Sequence, residues 1–233
     1  MTTSTYYQFC PVAMAAEILG SRWTIVLLRE LCAGSTRFND LRRGVPRMSP
    51  ALLSKRLKEL EVQGVIKRRL VQKRPEIHAY TLTKAGEDLK PVIMAIGVWG
   101  QRWVETSPSL KNTDSSLLMW DMRRNLRMMD LPDRKLTIQF MIGEDQKPYK
   151  KYWIISDPKG GVDLCSVDPG FEVDLYVKVD LRTITEIWMG LETVARALDD
   201  DRLFVHGDAD IAENMQSWLG LSPFANVDKQ VSN

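Results

Sequence analysis

Apolar residues along this 233-residue chain recur first at helical spacing and then at strand spacing. "PVAMAAEIL" (11–19) opens on a proline suited to a first helical turn and carries Val12, Ala15, Ala16 and Leu19 on one face. "RWTIVLLREL" continues with Trp23, Val26, Leu27, Leu28 and Leu31 and breaks at Gly34. "RFNDLRRGV" predicts a short helix between turns. In "SPALLSKRLKEL" (49–60), Ser49 is a good N-cap and Pro50 a good first residue. Leu53, Leu57 and Leu60 form its core stripe, and Gly64 is the stop signal. Two short strands follow, "VIKRRLV" and "IHAYTL", joined by the basic turn "QKRPE" (72–76). Thr83 is placed to cap a last helix running to about Val104.

The second half reads as five strands: "LTIQFMI", "YWIIS", "VDLCSV", "FEVDLYVKV" and "LFVH". In the fourth, Phe171, Val173, Leu175, Val177 and Val179 alternate with polar neighbours, the pattern of a half-buried strand in an antiparallel sheet. Three amphipathic helices flank the strands. One lies near 116–129. One follows Asp180 as N-cap and turns Leu181, Ile184, Ile187, Trp188 and Leu191 inward. One lies near 209–219 with Ile211, Met215 and Trp218. The expected class is α+β, a five-stranded sheet covered by helices behind a helical N-terminal domain. "ETSPSLKNTDSS" lacks periodic hydrophobes and reads as a linker. The expected limits are residues 1–104, a linker at 105–115, a second domain at 116–225 and a tail at 226–233.

Charge sharpens this division. Residues 1–104 hold 17 Lys and Arg against 8 Asp and Glu, whereas residues 105–233 hold 15 against 22. A basic half joined to an acidic half predicts different partners, the basic one facing a polyanion. In "SPALLSKRLKEL", Ala51, Ser54, Lys55 and Lys58 lie away from the leucines. Small residues let a helix approach a major groove, Ser and Lys bond base edges, and Lys and Arg meet phosphates. A solvated amphipathic helix has the same look, so its neighbours decide. A short helix and a Pro-bearing turn precede it, the order of a helix-turn-helix. A hairpin with Lys67, Arg68, Arg69, Lys73 and Arg74 follows it, as a wing does.

The run from Cys10 to about Trp103 resembles the HxlR-type winged helix-turn-helix regulators, relatives of the MarR group. The matching pieces, in order, are "CPVAMAAEILGSRW", "LLRELCAGSTRFNDL", "SPALLSKRLKELEVQGVIKR" and "YTLTKAGEDLKPVIMAIGVWG". The resemblance implies a homodimer on double-stranded DNA, with Ser49–Leu60 as recognition helix and 72–76 as wing tip. Expected DNA-facing residues are Arg47, Ser49, Ala51, Ser54, Lys55, Arg56, Lys58, Lys73 and Arg74. The chain departs from the family where His78-Ala79 replaces a frequent valine-glutamate pair before Tyr80. Independently, Val92, Ile96, Trp99 and Trp103 form an apolar seam suited to a dimer contact or to packing on their own domain. A two-fold dimer presents two recognition helices about 34 Å apart to an inverted repeat.

Cys10, Cys32 and Cys165 are scattered and odd in number, which argues against a disulfide framework and for a reducing compartment. Cys10 matches the cysteine that some family members use to sense oxidants or electrophiles. It reads either as a sensor activated by a helix N-terminus or as a small packing residue. Cys32 reads as core. "MTTSTYYQF" has no signal-peptide pattern, and "PVIMAIGVWG" is far shorter than the roughly 20 residues of a membrane helix, so a cytoplasmic protein without a membrane role is expected.

Nothing in the acidic half assembles a catalyst. Its one histidine, His206, stands apart from His78, and no phosphate loop, HExxH, CxxC or G-x-S-x-G occurs. "LDDD" (198–201) reads as a solvated turn, and no cofactor or metal is expected. Residues 116–225 resemble the sterol-carrier-protein lipid-binding fold: an alternating strand, a helix ending "WMG", a further helix, the strand "RLFVHGD" and a closing helix. The resemblance implies a tunnel for a small apolar or lipid-like ligand. Phe140, Trp188, Met215 and Trp218 are the expected pocket residues, chosen by chemistry. The leading expectation is a ligand-responsive DNA-binding regulator. The alternatives are a thiol-based regulator using Cys10 and a lipid carrier without specific DNA binding.

Overall fold

The computed structural model describes residues 5–74, 76–105, 114–144 and 148–231. Most of the expected linker (106–113), Pro75 of the wing turn and the last two residues of the tail lie outside the described residues. The chain forms two compact units, Met1–Gly97 and Val98–Asn233.

The first unit begins with helices α1 (Pro11–Leu19), α2 (Thr24–Cys32), α3 (Phe38–Gly44) and α4 (Pro50–Val62). The hairpin β1 (Ile66–Lys73) and β2 (Glu76–Leu82) follows, then α5 (Lys84–Asp88) and α6 (Lys90–Trp103), whose residues from Val98 on belong to the second unit. Local chemistry explains α4 from end to end. Ser49 Oγ accepts from Leu52 N at 3.3 Å, and Pro50 occupies the first turn. Gly64 takes the left-handed conformation (φ +71°) that lets Val65 N reach back to the Leu60 carbonyl, closing the helix. Leu53, Leu57 and Leu60 are buried with Leu27, Leu28 and Leu41, one apolar core shared by α2, α3 and α4. Each such leucine contributes about 1.5–3 kcal/mol of burial.

One expectation for this unit needs correction. The last helix does not run unbroken from Thr83. Thr83 does cap α5, accepting from Gly86 N at 3.3 Å, but the helix ends at Asp88. Pro91 has no N–H to donate to the Glu87 carbonyl, so the chain restarts as α6. The apolar face of α1 is covered at its end only: Ile18 and Leu19 pack against the core, whereas Val12 and Ala15 are exposed.

The hairpin pairs antiparallel from Ile66↔Leu82 to Lys73↔Glu76, with an irregularity between Leu70 and Gln72. Arg37 bridges Ala79, and Tyr80 N donates to the Thr36 carbonyl at 2.7 Å, so the segment before α3 adds a short third strand. At the unusual His78-Ala79 pair, the His78 ring lies 3.0 Å from the Arg68 guanidinium and 3.2 Å from Glu76.

The second unit comprises α7 (Ser115–Asn125), a 3-10 turn (Met128–Asp130), and strands β3 (Leu136–Gly143), β4 (Lys150–Asp157), β5 (Gly161–Cys165) and β6 (Leu175–Asp180). Helices α8 (Leu181–Trp188) and α9 (Val194–Asp199) come next, followed by β7 (Leu203–Gly207), α10 (Ala209–Glu213) and α11 (Met215–Leu219). The strands are ordered β5-β4-β3-β6-β7. Leu136, Ile138, Phe140 and Ile142 of β3 and Leu175, Val177 and Val179 of β6 face one core with Ile184, Ile187, Met215 and Trp218 from the helices.

Here too the structure revises the reading. The sheet is mixed, because β6 runs parallel to β3 and antiparallel to β7. The chain crosses from the β5 edge to the far side of β3, a connection that periodicity alone does not reveal. The fourth strand starts at Leu175 rather than Phe171. Just before it, Asp174 uses its carboxylate to accept Thr137 N at 2.8 Å and its own N to donate to the Thr137 carbonyl at 2.9 Å. The Asp174 carboxylate also holds Arg134 at 2.6 Å. Leu191 is exposed, because α8 ends at Trp188 and Gly190 turns the chain at φ +74°. The closing helix is two short helices joined at Asn214. Among the described residues, no single helix is long and apolar enough to cross a membrane.

Candidate nucleic-acid interface

The interface is built from the mounting outward. With Leu53, Leu57 and Leu60 fully inside, α4 turns Ser49, Ala51, Ser54, Lys55 and Lys58 to solvent, and Arg47 is exposed in the turn before it. Lys55 lies 3.9 Å from Glu59, a loose pair one turn apart that a phosphate displaces at little cost. Arg56 differs from these neighbours. Its side chain is 14% exposed; its Nε donates to the Arg22 carbonyl at 3.2 Å, and its guanidinium pairs with Glu59. Arg56 therefore braces α4 against the segment before α2 instead of joining the outward face.

Lys73 and Arg74 are exposed at the wing turn, where Gln72 Nε2 donates to the Arg74 carbonyl at 2.8 Å. Lys67, Arg68 and Arg69 are exposed along β1. The structure adds basic residues that periodicity did not single out. Arg37 and Arg43, together with Asn39 and His78, line a groove of about 510 Å³ between α3 and the start of β2. Arg37 and Arg43 are some thirty to forty residues from the wing in sequence, and the short third strand and α3 bring them beside it. The one sequence signal was the arginine density of "RFNDLRRG".

Of the expected dimer residues, Val92, Ile96, Trp99 and Trp103 are all exposed, Trp99 by 62%, while Ile93 on the other side of α6 is buried. Further exposed apolar side chains stand at the N-terminus: Tyr7, Phe9 (98% exposed), Val12 and Met14.

Cys10 occupies the N-cap position of α1. The backbone N–H groups of Ala13 and Val12 at the helix start lower its thiol pKa from the ordinary value. Burial pushes the Cys32 thiol up. None of the three cysteines is in a disulfide bond.

In the second unit, the four expected pocket residues come together, but as core. Phe140, Trp188, Met215 and Trp218 are each at most 7% exposed within one cluster. Trp218 Nε1 donates to the Ile211 carbonyl at 2.7 Å, so its polar atom is already satisfied. At the acidic turn, Asp200 is engaged by Arg202 at 3.0 Å.

The HxlR-like helix-turn-helix family model matches residues 18–108. Over 101 residues the chain is 37% identical to YvaP of Bacillus subtilis, an uncharacterized HTH-type transcriptional regulator; the match covers 43% of this chain and 94% of that one. It is 34% identical over 109 residues to YdeP of the same organism, also an uncharacterized HTH-type transcriptional regulator, covering 47% and 85%. Among solved structures, the reduced form of the transcriptional regulator YodB from B. subtilis is 32% identical over 40% of this chain and 93% of that one, with a TM-score of 0.36.

The wing geometry generates a salt-dependence prediction. Replacing Lys73 and Arg74 with alanine should lower affinity for all duplexes alike and reduce the slope of log affinity against log salt by about 2, measured by fluorescence anisotropy. An unchanged slope removes the wing tip from the interface.

Proposed function

The chain belongs to the HxlR-like helix-turn-helix family, whose members regulate transcription, and on that premise we propose that it binds DNA as a two-fold dimer on an inverted repeat. The observation that carries this reading is the outward face of α4. It is small, polar and basic at the helix start and rests on three buried leucines. Each α4 enters a major groove with Ser49, Ala51, Ser54, Lys55 and Lys58 at base edges and phosphates. Arg47, Lys73 and Arg74 hold the flanking backbone. Val92, Ile96, Trp99 and Trp103 of α6, with the exposed Val12 and Met14 of α1, meet their counterparts in a second copy. Burial of these side chains sets the spacing of the two recognition helices.

Two substitution sets test this reading against duplexes that the unmodified chain selects from a random-sequence pool. Lys55→Ala with Lys58→Ala should weaken specific binding by about tenfold or more while leaving the dimer intact. Ile96→Glu with Trp99→Glu should give a folded monomer by sedimentation and abolish specific binding. A tight-binding monomer, or lysine variants that still select the same sequences, contradicts the proposal.

The second unit, in this reading, is the regulatory input, a sterol-carrier-like fold that takes a small apolar molecule. Phe140, Trp188, Met215 and Trp218 pack together, so the ligand enters by parting them, and binding couples to DNA only by favouring one dimer geometry. Organic extraction of the purified full chain followed by mass spectrometry should recover a bound lipid-like compound. Failure to recover one, with no apolar probe shifting tryptophan fluorescence, removes this role.

A second reading rests on Cys10, whose thiol is held toward the thiolate at the start of α1. Oxidation or alkylation there alters the α1 surface assigned to the dimer and releases DNA. Peroxide or a quinone should then weaken DNA binding of the unmodified chain and leave Cys10→Ser unaffected. Equal sensitivity of the two excludes Cys10 as the sensor.

A further inference from the structure

A charged side chain lies buried against the first helix of the helix-turn-helix. Glu30, on α2, is fully buried. Its Oε1 accepts from Arg29 NH2 at 2.5 Å, its Oε2 accepts from Ser35 Oγ at 3.2 Å, and its own carbonyl accepts from Ser35 N at 3.1 Å. Burying a carboxylate is costly unless it is paired and hydrogen-bonded, and removing one partner of such a pair costs far more than a surface change. The position of this group is therefore tightly prescribed.

What it faces is Gly44, the last residue of α3. A Cβ built on Gly44 would stand 1.9 Å from Glu30 Cδ, 2.0 Å from Oε2 and 2.4 Å from Cγ. The carboxylate thus fills the volume that any other residue at position 44 needs for its side chain. The C-terminal end of α3 is also the negative end of the helix dipole, a poor neighbour for a carboxylate. Arg29 resolves the conflict: the same NH2 that meets Glu30 donates to the Gly44 carbonyl at 3.0 Å. The Arg29 Nε is buried and makes no hydrogen bond. Its guanidinium therefore sits where Glu30 and the helix end hold it, rather than where its own donors are best satisfied.

We infer that Glu30, through Arg29 and the glycine at 44, is a positioning residue for the recognition helix. It fixes the end of α3, and with it the direction in which residues 45–49 leave α3 and enter α4. This inference rests on the reading of α4 as the recognition helix. Glu30 and Arg29 touch no base in this account. They act by keeping Ser49, Ser54 and Lys55 in register with the groove, and misplaced contacts lose specific affinity while phosphate attraction persists.

The test uses the full chain with two readouts, amide hydrogen exchange along residues 50–62 and affinity for a duplex selected from a random-sequence pool. Glu30→Gln keeps the size of the side chain and its bond from Ser35, but gives up the charge that holds Arg29. It should fold, exchange α4 amides faster than the unmodified chain relative to α2, and lose about tenfold or more in specific affinity, with the salt slope unchanged. Gly44→Ala should do the same by collision. Glu30→Asp combined with Gly44→Ala shortens the acid by one methylene where the methyl must fit, and should recover most of the affinity that Gly44→Ala loses. Unchanged α4 exchange in Glu30→Gln and Gly44→Ala overturns the inference, whether or not a duplex is bound. So does an affinity loss that merely tracks the melting temperature and is not rescued in the double variant. If α4 exchange responds but the unmodified chain selects no duplex, the positioning stands and the DNA-binding reading fails.

Discussion

The burial of Leu53, Leu57 and Leu60 against α2 and α3 is the constraint on which the rest of the first unit depends. A helix of 13 residues with so polar an outer face has little reason to persist alone in water. The leucine stripe anchors it, Ser49 and Gly64 define its ends, and Arg56 ties it to the Arg22 carbonyl. With those four attachments in place, the start of α4 is free to carry side chains chosen for a partner. The hairpin is placed by the same logic: β2 is joined to the segment before α3 through Thr36 and Ala79, so wing and helix-turn-helix share one frame.

Much of this was legible in the residue pattern because the determinants are local. Caps, stop glycines and the i, i+4, i+7 leucines are spelled out within a dozen residues, and α4, the hairpin and β6 follow from them. The alternation of Leu175, Val177 and Val179 likewise identified a one-sided strand. What the pattern did not reveal depends on partners distant in sequence. The parallel pairing of β3 with β6, the tie from Asp174 to Thr137 and the approach of Arg37 and Arg43 to the wing are all long-range. The break at Asn214 fell inside a stretch whose periodicity continued across it.

The candidate functional residues divide in the same way. Side-chain type and helix phase sufficed to place Ser49, Ser54, Lys55 and Lys58 on the outward face of α4. They failed for Arg56, where a basic residue beside Lys55 is drawn to Glu59 and a backbone carbonyl instead. They also failed for Glu30, whose burial no periodicity announces and whose consequence appears only when Gly44 is seen against it. In the second unit, large apolar side chains pointed to a pocket by chemistry alone. The structure draws Phe140, Trp188, Met215 and Trp218 into one core.

The central claim is that two copies of α4 read DNA on one face of the duplex. It is tested most directly by a cleavage reagent tethered at the outward face. In a full chain with Cys10, Cys32 and Cys165 replaced by serine, Ser54→Cys carries an iron chelate that cuts nearby DNA. The account predicts two clusters of cuts in the major groove of the selected duplex, symmetric about its centre and roughly one helical turn, about 10 base pairs, apart. A single cluster, cuts spread evenly along the duplex, or no cuts from a chelate on α4 would contradict it.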